Sequence, residues 1–424
     1  MMDYSKANDF DLRRLDLTLD SGDVVSLLDM FTEINMYQDL FGAPLLFEIM
    51  ISDGLDLYST LPIKNNEILD IEFLTPGSET VAKQMLLYSR EELFLGENGN
   101  STYYKLKFVS PETIQNLSTK ASRSYTGTVS DIVGAIWSDH FKDFPNIQTT
   151  PSKNEYTLVL PYDTPFAHFE FLSRKALWAE NENHCDFLFF EDFRGFNFTC
   201  LGAMMGQPSR GYFRWDLEDA SPLSRDRNGG LDLIGSRARM QDVVFLGNEN
   251  LIDEIGSGMY NGFINQHDIM NKTHKGVKYQ YTEAFPNTQH LNDHPLNTKK
   301  ELEKIGLLAS YRTGFSGVFP PDTMIKRRSQ IESFMNKRLR FVTAGNSGMN
   351  AGDKIKLDFT QQSTLQLDTD GLDKYRSGYY IVSSVKHTIN KKDGYKMTVE
   401  ACTDSYGKPL PTESSFESKQ VRGA

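Results

Sequence analysis

The run from 339 to 403 constrains this chain most, because it alternates. Lys354-Ile355-Lys356-Leu357-Asp358-Phe359 puts Ile355, Leu357 and Phe359 on one side and Lys354, Lys356 and Asp358 on the other. A period of two fits a strand with one wet and one buried face. Residues 339–344 precede it, with turns at 345–348 and 350–353. After a polar excursion over 360–377, residues 379–389 are rich in β-branched and aromatic side chains. Asp393-Gly394 supplies a tight turn, and 395–401 returns as the partner. The region is predicted to be an antiparallel meander, with no nucleophile beside a base, no metal spacing and no phosphate loop. It reads as scaffold. An aspartate at position 355 or 357 would bury an unpaired charge. Ile355→Asp or Leu357→Asp is therefore expected to abolish folding, and Lys354→Ala to be tolerated.

The same pattern recurs upstream. Residues 9–20 alternate through Leu12, Leu15, Leu17 and Leu19 and read as an edge strand or lead-in. Residues 24–39 begin a longer β pattern, 41–44 turn, and 45–52 are strongly apolar. Residues 67–73 alternate cleanly, and 84–94 and 101–109 read as strands split by the loop 96–100. Short strands at this spacing predict a small barrel or sandwich.

Periodicity then changes. Thr128 or Ser130 can cap a helix whose apolar stripe is Val129, Ile132, Val133, Ile136 and Trp137. A strand over 156–160 follows. Thr164 caps a second helix, with Pro165 at its first position and Phe166, Phe169, Leu172, Ala176 and Leu177 facing inward. Residues 187–190 and 196–200 make a hairpin around 192–195. This αβαββ block is a separate module. Residues 209–235 read as a long loop, 239–245 as a strand, 250–260 as a short helix, 262–268 and 277–283 as strands, and 284–299 as loop. Residues 322–337 form a basic amphipathic helix with Met324, Ile331, Phe334 and Met335 facing inward.

With 424 residues, two to four domains are expected. The net charge of −12 excludes a chain built to grip nucleic acid by its phosphates. Cys185, Cys200 and Cys402 make no disulfide framework, so folding in a reducing cytosol is expected. No signal core opens the chain and no stretch approaches membrane-spanning length, so a soluble, unexported product is expected.

Each candidate for chemistry has a plainer reading. His267/His274 and His290/His294 come nearest to a metal cluster, but no further pair completes a tetrahedral set, so they read as loop histidines. His184-Cys185 suggests a thiol nucleophile, yet Cys185 opens an apolar strand and reads as structural. Glu91/Glu92, Glu191/Asp192 and Asp368/Asp370 are the acidic pairs a glycosidase would need, and they read as solvated turns. The cluster Lys326-Arg327-Arg328 with Lys337-Arg338-Leu339-Arg340 reads as a helix's wet face or a surface for an acidic partner rather than a nucleic-acid site. Gly256-Ser257-Gly258 lacks the strand–loop–helix context of a dinucleotide site. No catalytic, cofactor-binding or metal residue is assigned, and no cofactor is expected.

The order of elements resembles the central baseplate hub subunit of contractile-tailed, T-even-type bacteriophages, and more distantly the hub part of type VI secretion valine-glycine repeat spike proteins. The resemblance is carried by 31–40 with the turn Phe41-Gly42 and strand 45–51, by Asn66-Glu67-Ile68-Leu69-Asp70-Ile71, and by 110–117. Residues 164–177 and 186–200, the run 325–357 with Asn350-Ala351-Gly352-Asp353, and the hairpin 378–403 complete it. Residues 209–297 depart most. The resemblance implies a mainly β fold with α+β insertions, namely two tail-tube-like antiparallel β-barrels plus an inserted αβ module. The expected divisions are a first barrel at 10–115, the module at 116–205, a discontinuous second barrel at 206–285 and 338–404, a connecting segment with a helix at 286–337, and a flexible tail at 405–424. It further implies a non-enzymatic homotrimer whose pseudo-sixfold ring joins a sixfold tail tube to a threefold central spike around the DNA-ejection channel. Expected partners are its own copies, the tube or tube-initiator protein and the spike, with the tape measure protein and baseplate wedge in reach. DNA would only pass through, and no membrane insertion is expected. The location would be the virion tail baseplate, assembled in the host cytoplasm. A hub of a related injection particle (tailocin or secretion system) is the alternative, and an all-β carbohydrate-active hydrolase a more distant one.

Overall fold

A computed structural model describes residues 6–54, 63–95, 102–215, 236–246, 250–268, 272–296, 307–313, 321–361, 371–373 and 375–407. The fold is mainly β, as the alternation requires. The N-terminal part gives β1 (Asp11–Thr18), β2 (Val24–Ser26), β3 (Phe31–Asp39), β4 (Gly42–Asp53), β5 (Ile68–Leu74), β6 (Val81–Leu95) and β7 (Thr102–Val109). They pair antiparallel in the order β3-β4-β7-β6-β5-β1-β2. The predicted loop 96–100 lies outside the described residues.

The middle segment contains α1 (Pro111–Ser118), β8 (Ser124–Thr128), α2 (Val129–His140), β9 (Gln148–Thr149), β10 (Glu155–Val159), α3 (Pro165–Ser173), β11 (Phe187–Asp192), β12 (Gly195–Cys200) and α4 (Leu201–Gly206). Thr128 caps α2 through a full capping box with Asp131, and Thr164 caps α3 with Pro165 at its start. The α2 stripe is wholly buried. Trp137, Phe141, Phe169 and Phe196 make a separate aromatic core there. The helix at 111–118 was not foreseen; its Pro-Glu start is a signal that the strand pattern before it overshadowed.

Beyond it lie β13 (Gly211–Trp215), β14 (Gln241–Phe245), α5 (Leu251–Ser257), β15 (Asn261–Asp268), β16 (Thr273–Gln280), α6 (Tyr281–Ala284), β17 (His294–Pro295) and β18 (Leu307–Thr313). Then come α7 (Pro321–Asn336), β19 (Lys337–Ala344), β20 (Lys354–Phe359), β21 (Gly378–Asn390), β22 (Gly394–Thr403) and β23 (Ser405–Tyr406). The loop predicted over 209–235 in fact holds β13, which pairs parallel with β20. β15, β16 and β18 form their own sheet.

Two barrels were expected, but among the described residues neither half closes on itself. β3 and β21 pair antiparallel from Glu33↔Asn390 to Asp39↔Ser384 and fuse the halves into one 13-stranded sheet. The physical reason is a shared core. Phe47, Phe73 and Phe108 belong to one apolar cluster with Phe341, Leu357, Tyr395 and Met397, so neither half has to seal its own interior. The Phe73 ring meets the Tyr395 ring edge-on at 6.0 Å.

The C-terminal strands are not a simple meander. β19 pairs with β22, β22 with β21 and β21 with β20. The turn after β19 passes against the Tyr395 ring, where any side chain at Gly345 would collide with it, and Ser347 exchanges hydrogen bonds with Thr75 in the N-terminal half. The turn therefore carries the chain across the core rather than back beside β19. In β20, Ile355, Leu357 and Phe359 are buried as predicted. Asp358 is also buried and accepts a hydrogen bond from the Tyr212 hydroxyl at 2.9 Å. Lys354 donates to the Met205 carbonyl at 2.7 Å. In α7, Ile325 and Phe334 face inward, but Met324 is exposed.

Leu357→Asp should cost more than about 4 kcal/mol and leave no cooperative urea transition by tryptophan fluorescence. Lys396→Ala on the wet side should stay within about 0.5 kcal/mol, and Lys354→Ala should lose about 1 kcal/mol with its hydrogen bond. A Leu357→Asp chain unfolding at the wild-type midpoint would refute the assignment of faces.

Candidate functional site

Alternation on five neighbouring strands builds one polar wall. Glu33, Asn35 and Tyr37 project from β3, Glu48 and Met50 from β4, and Lys105 and Lys107 from β7, opposite their buried neighbours. Lys386, Thr388 and Asn390 continue it on β21, and Lys396, Thr398 and Glu400 on β22. Side chains bridge the seam between halves: Thr388 donates to Asn35 at 2.9 Å and Asn390 to Glu33 at 3.4 Å. Tyr37 donates to Glu48 at 3.0 Å, and Lys107 pairs with Glu91 at 2.6 Å. Carboxylates and lysines are thus mixed across both halves, interrupted on β4 by Met50 and the exposed Leu46.

Behind the wall, a buried polar joint ties the halves to the αβ module. Gln38 accepts from the Ala351 amide at 2.9 Å and donates to Asn350 at 3.2 Å. Asn350 also accepts from the amide of Phe193, in the turn between β11 and β12. Gln38 faces His387 Nε2 at 3.4 Å, and His387 Nδ1 lies 2.7 Å from the Tyr395 hydroxyl. Since the Gln38 amide nitrogen can only donate, His387 carries its proton on Nδ1. Burial pushes His387 down to about 3, so the ring is neutral. Arg194 pairs with Asp192 at 2.6 Å and Asp353 at 3.0 Å, and Arg210 faces Asp353 at 3.5 Å. A cleft of about 340 Å³ opens over this cluster, lined by Thr149, Asn197, Gln207 and both arginines.

Glu191 fixes the other side of the module. It accepts from the Leu45 amide at 2.9 Å and the Ser110 hydroxyl at 2.7 Å. Burial raises its carboxyl to about 7, opposed by Lys83 and by those two donors.

The structure scatters most residues singled out from sequence. Glu191 and Asp192 point into different networks, Glu91 pairs with Lys107, and Asp368 and Asp370 lie outside the described residues. Nε2 of His184 accepts from the Gln289 amide and Nδ1 meets Asp186 at 3.1 Å, leaving no lone pair for Cys185. Arg327 is no part of a basic surface: it donates to the carbonyls of Ser173, Cys185 and Phe187. Gly258 is the left-handed cap of α5. His267 and His274 do meet, across β15 and β16. His290 gains a partner that sequence missed, Asp404, at 2.5 Å. Its Nε2 lies 2.6 Å from the Thr288 hydroxyl, the connectivity of a hydroxyl–imidazole–carboxylate relay. That nitrogen also faces the Phe285 carbonyl at 2.9 Å, which can only accept, so its N–H is engaged there and it has no lone pair for the Thr288 proton. Asp404 further holds the Leu291 amide, and the group works as a strut. No local pattern links residues so far apart.

No protein-family model matches the sequence, and no curated protein matches it. Solved structures do. The tail protein from Neisseria meningitidis MC58 superposes over 93% of this chain and 97% of its own, at a TM-score of 0.56 and 9% identity. The 43 kDa tail protein of prophage MuSo2 from Shewanella oneidensis covers 92% of this chain and 99% of its own, at 0.54 and 10%. The fold is therefore one found in tail proteins. No helix among the described residues is long and apolar enough to cross a membrane.

Arg194→Ala leaves two fully buried carboxylates short of their cation and should cost about 3–5 kcal/mol in urea unfolding; a loss below about 1 kcal/mol would mean the joint is wet. The two titrating groups pull in opposite directions. Glu191, raised from 4.5 to about 7, contributes stability that is full below pH 4.5 and gone above 7. His387, lowered from 6.5 to about 3, contributes stability that is present above pH 6.5 and lost as pH falls toward 3. Between 4.5 and 6.5 their slopes cancel. Glu191→Gln should thus lose stability on acidification through this window, and His387→Asn should lose it as pH rises, as read from urea midpoints at pH 5 and 7. Equal slopes in both variants would contradict the assignment.

Proposed function

We propose that this chain is a structural subunit of a contractile-tail baseplate hub, three copies of which ring the path of ejected DNA. The observation that carries the reading is the mainly polar wall that runs across two sheet halves fused at β3 and β21. Three two-part chains give six similar segments, which can meet a sixfold tube with near-equivalent contacts and still match a threefold spike. The shared fold with two tail proteins supports the same reading. In it, segments 10–115 and 206–285 with 338–404 are the two ring units and 116–205 the module braced against them. The tube or its initiator and the central spike are the direct neighbours, the tape measure protein and wedge lie within reach, and the location is the virion tail baseplate after assembly in the host cytoplasm.

The wall suits a bore. Its carboxylates and lysines interleave, so it neither grips phosphates nor repels them strongly over distance. The role is scaffolding rather than catalysis: the one described acidic pair, Glu191 and Asp192, is engaged by Ser110 and Arg194 on separate sides. A hub of a tailocin or secretion particle would use the same geometry, and genome neighbours separate the two.

Light scattering should give three times the 48.3 kDa chain mass for the purified chain, and that mass plus the spike's own when the spike protein is added, and cryo-microscopy should show β3 and β21 facing the bore. A monomer under both conditions, or a bore lined by another face, would overturn the reading.

A further inference from the structure

We infer that the hairpin of β15 and β16 carries a divalent transition-metal site made by His267 and His274. The two residues are directly opposite in the antiparallel register. Their Nδ1 atoms lie 3.2 Å apart, their rings 4.5 Å apart, and the pair is exposed. Metal–imidazole bonds of about 2.0–2.1 Å place two tetrahedral donors about 3.3–3.4 Å apart, and two cis octahedral donors about 2.9 Å apart. The observed separation falls between these, so the pair already has the bite of a chelate.

The backbone holds that bite before any ion arrives. β15 is paired on both edges, with β16 on one side and β18 on the other, so His267 sits on a strand fixed from two directions. A donor pair set in advance loses little freedom on binding. The plain alternative is a single N–H···N hydrogen bond, which in an exposed position competes with water and is worth about 1 kcal/mol at most.

Among the described residues no third histidine, cysteine or carboxylate joins the pair. Among the described residues the site is bidentate, with its remaining positions open to water or to a further donor. Imidazole donors select copper, nickel and zinc over magnesium and calcium, with Cu²⁺ tightest. The site does not depend on the ring proposed above.

The test is calorimetric titration of the tag-free, full-length chain with Cu²⁺, Ni²⁺ and Mg²⁺ in a non-chelating buffer near neutral pH. One Cu²⁺ and one Ni²⁺ should bind per chain, and no Mg²⁺. Cu²⁺ electron paramagnetic resonance should show two nitrogen donors. H267A and H274A should each weaken binding roughly tenfold or more, while H294A should behave as wild type, with near-UV circular dichroism unchanged in all three. The inference fails if the wild type takes up neither Cu²⁺ nor Ni²⁺, if either hairpin variant binds as wild type does, or if H294A abolishes the site.

Discussion

The ladder between β3 and β21 holds the molecule together in more than one sense. It joins strands from opposite ends of the chain, with Asn35 and Thr388 353 positions apart. A slip of one residue by β21 would turn Val385 and Ile389 toward water and bring Lys386 and Thr388 into the core, and a slip by β3 would turn Ile34 and Met36 outward and Glu33 inward. Hydrophobic alternation alone penalises that slip. Gln38 adds a second lock, because its amide satisfies the Ala351 N–H and Asn350 together only in one register. The entropy of closing so long a loop grows only logarithmically with length, but such pairings slow folding. Each half therefore needs enough local hairpin structure to persist until the seam forms, and β3–β4 and β21–β22 supply it.

The polar joint explains why the αβ module can be both distinct and rigidly placed. Its own core is aromatic around Trp137, with Ala43 of β4 packed against it. Its attachment uses the β11–β12 turn, where Asp192, Phe193 and Arg194 enter the region between the two halves. Phe193 contributes apolar area against Phe73 and Phe47. Arg194 and Asn350 contribute direction. Replacing such a network by apolar side chains can preserve stability, but an apolar contact would not fix the module's angle in the way paired hydrogen bonds do.

Much of this was legible because period-two patterns assign faces. Residues 68–73 needed no partner to reveal which side is wet, and 354–359 needed none apart from Asp358, which is buried. The caps Thr128 and Thr164 were equally local. What alternation does not encode is which strand lies next to which, and so sheet continuity, the β19–β22 pairing and β13 beside β20 were out of reach. One error had a signal in plain view. Lys326-Arg327-Arg328 are consecutive, so on a helix they spread over about 200°, more than a single wet face beside buried Ile325 and Ser329 can hold. One of them had to turn inward, and Arg327 did, satisfying three carbonyls. The Thr288–His290–Asp404 strut and the 3.2 Å approach of His267 to His274 depend on tertiary and cross-strand placement that spacing alone leaves open.

Charge shows the same division between what a sum states and what a surface does. The chain carries −12 overall, which invites the picture of an acidic channel repelling DNA. The wall formed by β3, β4, β7, β21 and β22 is not acidic in that sense. Glu33, Glu48 and Glu400 share it with Lys105, Lys107, Lys386 and Lys396, close enough for a pair such as Lys107–Glu48 at 3.9 Å to form. At physiological salt the field of such a mosaic cancels within about 8 Å. A polyanion moving along it meets alternating shallow attractions and repulsions rather than a uniform potential, and its friction is set by local pairs. The excess of carboxylates must then reside on other surfaces, where it favours solubility and resists contact between like-charged faces. The wall's electrostatics follow from residue order on five strands, and the net charge says little about them.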